Sequence, residues 1–296
     1  MGRFVMDNGD GKGRLAWGEA DISGVAAAVS AAGGLDLLNY DGAFLCGVLE
    51  KRRQAAGAAA PGDYVALLTE TPGEVASLCG SLLVSHSEFF RNPLSFAVLE
   101  KMVLPDFIRK KRMTGGGELR IWSAGCATGQ EAWSVAIAMD EIVEALGLPV
   151  PFRIFATDLS PADVAFAREG VYGETSVRNV RLGALERCFT KRGRSYAVAP
   201  RLRDRVDFSV HDLLDNHSPS PSAAIFGGFD VILCCNVLLY YADKARNGIL
   251  GRLRRSLAPS GVFVTGEAER EMITKAGGFS CIVPPVPVFQ KVSGRN

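Results

Sequence analysis

From residue 119 onward the chain alternates short apolar runs with amphipathic stretches, and this alternation constrains the fold more than any other feature. Leu119–Ala124 reads as a strand and Gly125–Gly129 as a loop. Glu131–Leu146 reads as a helix with Ala132, Val135, Ala136, Met139, Ile142 and Val143 inward. A strand over Phe152–Thr157 and a helix over Pro161–Glu169 follow. Further strands are expected at Val206–Val210, Phe229–Cys235 and Val262–Thr265, with a helix around Asp243–Leu257 between the last two. Strands apolar on both faces are buried on both faces, which predicts a parallel, doubly wound α/β sheet. A basic segment, 171–205, and a Pro/Ser-rich loop, 214–228, interrupt the alternation.

Upstream the period is helical. Leu37, Leu38, Phe44, Leu45, Val48 and Leu49 recur at three- and four-residue spacing, as do Tyr64, Val65, Leu67 and Leu68. Ala55–Gly62, with Pro61, separates two helices. Thr71-Pro72-Gly73-Glu74 opens another, with Thr71 as N-cap, Pro72 at the first helical position and Glu74 at the third. Beyond Pro93 a helix runs to about Arg109-Lys110-Lys111-Arg112, cations that suit the negative end of a helix dipole. The expected organisation is a disordered Gly/Asp-rich tail (1–14), a helical domain (15–85), a linker helix (86–117) and an α/β domain (118–296).

Composition narrows the partners. Hydrophobic residues at 48% against 22% charged exclude wholesale disorder, and a net charge of +1 gives no general field for nucleic acid or membrane. The charge is uneven, however. Residues 1–85 carry six Lys/Arg against ten Asp/Glu, whereas 178–205 carry nine Lys/Arg against Glu186 and Asp204. Such a basic run is either a solvated face or a surface for an acidic partner. Seven scattered cysteines without CxxC, and His86, His211 and His217 far apart, predict reduced thiols and no metal site. With neither a long apolar span nor a signal-like N-terminus, a cytoplasmic protein without membrane insertion is expected.

The chemistry sits where strands end. Ser123-Ala124-Gly125-Cys126-Ala127-Thr128-Gly129 occupies the first βα turn, where glycines let a ligand approach the backbone ahead of a helix N-terminus. The turn is neither a P-loop nor a GxGxxG fingerprint. Asp158 closes the second strand, placed to accept from both ribose hydroxyls of a nucleoside, while Ser160-Pro161 supplies the next helix cap. Without dinucleotide glycine spacing, S-adenosylmethionine is favoured over NAD. Asp212 and Asn236 follow the third and fourth strands, on the same rim. Val237-Leu238-Leu239-Tyr240-Tyr241 lacks the Pro-Pro of amino-methylating nucleic-acid enzymes, so no nucleic acid is expected.

These segments together resemble the CheR family, chemotaxis receptor methyltransferases that esterify glutamate side chains with S-adenosyl-L-methionine. The resemblance spans roughly Leu35 to Lys291. Its motifs are Ser85-x-Ser87-x-Phe89-Phe90-Arg91, Trp122 to Glu131, Thr157-Asp158-Leu159-Ser160, Asn236 to Tyr241 and Gly266-Glu267-Ala268-Glu269. It implies a Rossmann-like methyltransferase domain, an N-terminal α-helical domain and a small antiparallel β-subdomain inserted at about 171–205. By motif, Ser85, Ser87, Arg91, Gly125, Glu131, Asp158, Asp212, Leu213, Cys235 and Asn236 would hold the cofactor. Arg91 and Tyr240 would stand beside the reacting groups, and S-adenosyl-L-homocysteine would be the product. The implied partner is the cytoplasmic helical domain of a chemoreceptor-like protein, docking on the basic insertion of a monomeric enzyme. Departures from the family pattern are Ala132-Trp133 for Pro-Tyr, Cys235 for Arg, Ser85 and Ser87 for Asn and Thr, and an acidic N-terminal module. They leave open a binding module that has lost turnover, or another methyl acceptor.

Overall fold

The computed structural model describes residues 17–224 and 228–292. The tail expected over 1–14, and residues 225–227 of the Pro/Ser-rich loop, lie outside the described residues. The described residues form two compact units: those up to 84 with 239–246, and those from 85 to 238 with those from 247 onward.

In the first unit, helices α1 (Glu19–Ala31), α2 (Gly42–Ala55), α3 (Pro61–Glu70) and α4 (Pro72–Leu82) pack on Val25, Val29, Leu45, Leu49, Leu68 and Leu78. The Asp41 carboxylate caps α2 by accepting from the N–H groups of Ala43 and Phe44. Thr71 departs from the sequence expectation. It stands before α4 but makes no side-chain cap bond. Glu74 turns inward instead, taking both Arg52 (2.6 Å) and the Tyr64 hydroxyl (2.7 Å). The segment 239–246 belongs with these helices: Asp41 donates its N–H to the Tyr240 carbonyl (2.8 Å), and Tyr40 stacks on Tyr241.

The second unit opens with a continuous helical run, α5 (Pro93–Val98) and α6 (Leu104–Met113), joined by a π turn over Leu99–Val103. Pro105 accounts for the interruption, because it offers no N–H to the preceding turn and its ring crowds a carbonyl there. Next come β1 (Leu119–Ala124), α7 (Gln130–Leu146), β2 (Phe152–Asp158) and α8 (Pro161–Glu169). Ser160 caps α8, accepting from the Asp163 N–H as its sequence predicts. The insertion holds β3 (Val171–Gly173), α9 (Leu182–Cys188), β4 (Phe189–Arg192), β5 (Ser195–Val198) and α10 (Pro200–Arg203). Its strands pair antiparallel in the order β3-β5-β4. Then follow β6 (Val206–Val210), β7 (Phe229–Cys234), α11 (Asp243–Ser256), β8 (Leu257–Thr265), α12 (Arg270–Ala276), β9 (Phe279–Val283) and β10 (Val286–Lys291).

The main sheet runs β6-β2-β1-β7-β8-β10-β9. Its first five strands are parallel, as the apolar runs predict. The purely parallel expectation needs correcting at one edge, where β10 lies antiparallel to both β8 and β9. Trp122 is fully buried and ties β1 to β2 through Nε1 and the Thr157 hydroxyl (2.9 Å). Because β2 and β7 flank β1, the strand order reverses there, and α/β sheets open a crevice at the carboxyl ends of such a pair.

Candidate active site

A cleft lies at that reversal. It is lined by Ser87, Glu88, Arg91, Asn92 and Ser95 from the segment entering α5. Gly125, Ala127 and Glu131 line it from the first βα turn, and Cys235 and Asn236 from the end of β7. Gly125 is required: its φ is +81°, and a Cβ there would stand 2.5 Å from a Val237 methyl.

Three non-glycine residues among those described have positive φ, and all belong to the loops around this cleft: Phe90 (+50°), Ala127 (+46°) and Asn236 (+61°). Such backbone costs roughly 1–3 kcal/mol per residue and persists only where its surroundings over-determine it. Each N–H here is held by a side chain from elsewhere. Phe90 donates to the Ser134 hydroxyl (3.0 Å), Ala127 to Asp158 Oδ2 (2.8 Å) and Asn236 to Glu269 Oε2 (2.8 Å). Ser134 in turn donates to the Gln130 carbonyl within α7 (2.7 Å).

The structure brings Ser87, Arg91, Gly125, Glu131, Cys235 and Asn236 of the expected residues to the cleft. Asp158 stands one hydrogen bond behind it through Ala127, and its Oδ1 accepts from the Ser160 N–H (3.0 Å). Burial pushes its carboxyl above the usual range, against the pull of those N–H groups. Burial does the same to Glu131, opposed by the Ser123 hydroxyl 2.6 Å away, by Cys235 and by the Arg91 charge. The Cys235 thiol is pushed well up by burial and then by Glu131, so it is a neutral wall of the cleft. Arg91 is exposed and, among the described residues, makes no ion pair. Its guanidinium reaches only the His86 carbonyl, at 3.4 Å.

The remaining expected residues lie elsewhere. The Ser85 hydroxyl donates to Asp163 Oδ2 (2.6 Å) at the start of α8. Asp212 closes its own turn on the Leu214 N–H (2.7 Å), and the Leu213 carbonyl accepts from Arg252. Tyr240 falls in the first unit, its ring 4.8 Å from that of Phe44. The aromatics before Arg91 are core residues. Phe89 meets Tyr172 and Phe189 of the insertion edge-on, and Phe90 meets Phe96. Trp133 is buried too, bonded to the Ala167 carbonyl (3.2 Å) and packed on Phe208.

Sequence reasoning missed Ser95 and Glu269 as site residues. Ser95 is buried with an unpartnered hydroxyl, and Glu269 is wholly buried beneath the end of β7. A Gly-x-x-Glu spacing was the signal available for Glu269; nothing singled out Ser95.

A nucleoside sulfonium with an amino-acid tail fits this cleft on three observations. Asn236 Oδ1 and Ser95 Oγ are buried polar atoms without a protein partner, and Glu131 is a half-buried carboxylate without an ion-pair partner among the described residues. The Gly125 turn admits a ligand against the backbone.

Strand order, glycine turn and strand-end acid define an α/β fold of the S-adenosylmethionine-dependent methyltransferase class. The family model "CheR methyltransferase, SAM binding domain" matches residues 85–283, and the chain belongs to that family, with S-adenosylmethionine as its cofactor. Among similar proteins is an uncharacterised 104.1 kDa protein of Rhodobacter capsulatus, 32% identical over 81% of this chain and 24% of that protein. Chemotaxis protein methyltransferase 1 of Pseudomonas aeruginosa is 34% identical over 75% of this chain and 79% of its own. A probable biofilm formation methyltransferase, WspC, of the same species is 30% identical over 88% and 59%. This chain therefore spans about a quarter of the first relative and four-fifths of the second. No helix among the described residues is long and apolar enough to cross a membrane.

Proposed function

We propose that the protein transfers a methyl group to glutamate side-chain carboxylates of a chemoreceptor-like protein in the cytoplasm. The observation that carries this reading is Arg91, an arginine on the cleft with no carboxylate partner among the described residues. The cofactor supplies an electrophilic methyl on a sulfonium. Bound in the cleft, it would give that methyl to a carboxylate oxygen, with S-adenosylhomocysteine as the leaving group and a methyl ester as the product. A glutamate is already ionised at neutral pH, so no strong base is needed and the protein's work is alignment. The Arg91 fork can hold one carboxylate oxygen while the other attacks. Glu131 and Asn236 suit the ammonium end of the cofactor, and Asp158, with its free lone pairs, suits the ribose. Ser85, Asp212 and Leu213 are retained as cofactor-binding residues on the family resemblance alone. Tyr240 is retained as a hydrogen-bond donor to the acceptor.

Docking has less charge available than the sequence suggests. Arg181 pairs with Glu100 and Glu141, Arg187 with Glu141 and Glu144, and Arg201 with Asp140. Arg192 and Arg194, exposed at the β4–β5 turn, are the cations we assign to an acidic helical partner. The departures at Trp133 and Cys235 have structural accounts, as a core side chain and a neutral cleft wall, so they do not favour a module without turnover. The test is labelled S-adenosylmethionine with chemoreceptor-containing membranes, followed by mild base. Carboxyl methyl esters release methanol in base; an alkali-stable label would identify another acceptor and refute the glutamate reading.

A further inference from the structure

Glu269 is wholly buried, yet its carboxylate is fully engaged. Oε1 accepts from the N–H groups of Val237 (2.8 Å) and Leu238 (2.7 Å). Oε2 accepts from the N–H groups of Asn236 (2.8 Å) and Gly266 (2.9 Å), with the Thr265 hydroxyl at 2.6 Å. One side chain thus gathers three consecutive amides after β7 and the end of β8. Gly266 permits the approach, since a Cβ there would stand 2.9 Å from Asn236 Nδ2 and 3.0 Å from Glu269 Oε2.

We propose that Glu269 is a positioning residue for the methyl-transfer site: it holds the turn at Asn236 in its left-handed conformation, so that the Asn236 side chain faces the cofactor. The inference rests on the reading of the cleft as the cofactor site. Three facts converge on it. Asn236 has φ +61°, a left-handed backbone uncommon outside glycine although Asn adopts it more readily than most, and its N–H is held in that turn by Glu269. Its Oδ1 is buried without a protein partner and its residue lines the cleft, so the turn aims an acceptor at a ligand. The grip on its N–H is the counterpart of that of Asp158 on Ala127, across the same cleft. A carboxylate is the side chain that can accept from so many donors at once, because both oxygens offer only lone pairs.

Glu269→Gln keeps the shape but turns one oxygen into an NH₂ that confronts N–H donors. Thr265→Val removes, at nearly constant volume, a hydroxyl that lies 2.6 Å from Glu269 Oε2 and 3.0 Å from the Cys234 carbonyl. Asn236→Gly removes the side chain through which Glu269 would act and tolerates the left-handed backbone. Binding of S-adenosylhomocysteine is measured by calorimetry, per folded molecule, beside thermal melts. Glu269→Gln should weaken binding at least about tenfold and Thr265→Val by about two- to fivefold. In the Asn236→Gly background the further loss from Glu269→Gln should shrink to less than about threefold, the coupling expected of residues acting as a unit. A purely structural Glu269 would lower the melting temperature and leave affinity unchanged, overturning the proposal. So would an undiminished loss in the Asn236→Gly background. If Glu269→Gln does not fold, Thr265→Val decides on the same criterion. Failure of the parent protein to bind S-adenosylhomocysteine overturns the cofactor reading, and this inference with it.

Discussion

At the scale of single residues, Arg91 and Glu131 face one cleft with opposite requirements. Arg91 is exposed, lacks an ion pair among the described residues, and follows a strained Phe90 whose N–H is pinned by Ser134. Arg91→Lys retains the charge and removes the planar fork. Its melting temperature should stay near that of the parent while single-turnover methylation slows at least about tenfold, or roughly 1.4 kcal/mol of transition-state stabilisation. Near-parent rates would remove Arg91 from the reaction. Glu131 gives a pH prediction whose sign follows from burial, which raises its carboxyl above the usual value of 4.5. The ionised form is the one that takes an ammonium, so cofactor affinity should rise with pH through that raised value. Stability of the ligand-free protein should move oppositely: the raised folded pKa favours the proton-bound native state, and this contribution is lost as pH rises through it. Titrations of S-adenosylhomocysteine from about pH 5 to about pH 8 should show the dependence in the parent and its loss in Glu131→Gln. A flat parent profile would place the ammonium elsewhere.

Among elements, the insertion is fixed to the sheet layer by aromatics and by acids on α7. Glu141 accepts from Arg181 and Arg187 at 2.6 Å each, but those arginines are 53% and 49% exposed, so solvent screens both pairs. Glu141→Gln should therefore cost no more than about 1 kcal/mol, a fall in melting temperature of about 2–4 °C at low salt. The fall should shrink in high salt; a salt-independent loss would mean that packing, not charge, is at stake. The regular elements were legible because strands and helices differ in period, and Pro161–Glu169 and Val206–Val210 match the sequence reading residue for residue. The edge strands β9 and β10 were not legible, since Pro284, Pro285 and Pro287 break the alternation, and the pairing itself shifts register between Val286 and Phe289. The glycine turn, Asp158 and Asn236 were legible because each directly follows an apolar strand. Glu269 was not, because three of its partners, the N–H groups of Asn236, Val237 and Leu238, lie 31 to 33 residues away and meet it only when β7 and β8 pair. Part of the basic run at 178–205 is paired with acids distant in sequence: Arg181, Arg187 and Arg201 with Asp140, Glu141 and Glu144 on α7, Arg181 also with Glu100, and Arg178 with Glu88.

At the scale of the whole molecule, the residues that line the cleft all belong to the second unit, whereas Tyr240 lies in a segment that clusters with the first. Binding and transfer should therefore be separable by truncation. In a chain shortened to 85–296, the Tyr240 segment loses the Asp41 N–H on its carbonyl, the bond from the Ala242 N–H to the Asn39 carbonyl, and the rings of Tyr40 and Phe44. The cleft keeps Asp158, Ser134 and Glu269, which hold its strained backbone. The fragment, checked for folding by circular dichroism, should bind S-adenosylhomocysteine within about threefold of the full chain, a difference below 1 kcal/mol. Its methylation rate should fall at least about tenfold. Tyr240→Phe in the full chain supplies the control: it keeps all of those anchors and removes only the hydroxyl, so a similar fall in rate at unchanged affinity assigns the effect to that group. A folded fragment that loses the ligand would show that the cofactor site is not confined to residues 85–296. One that transfers at the parent rate would show that neither Tyr240 nor its anchorage serves the chemistry.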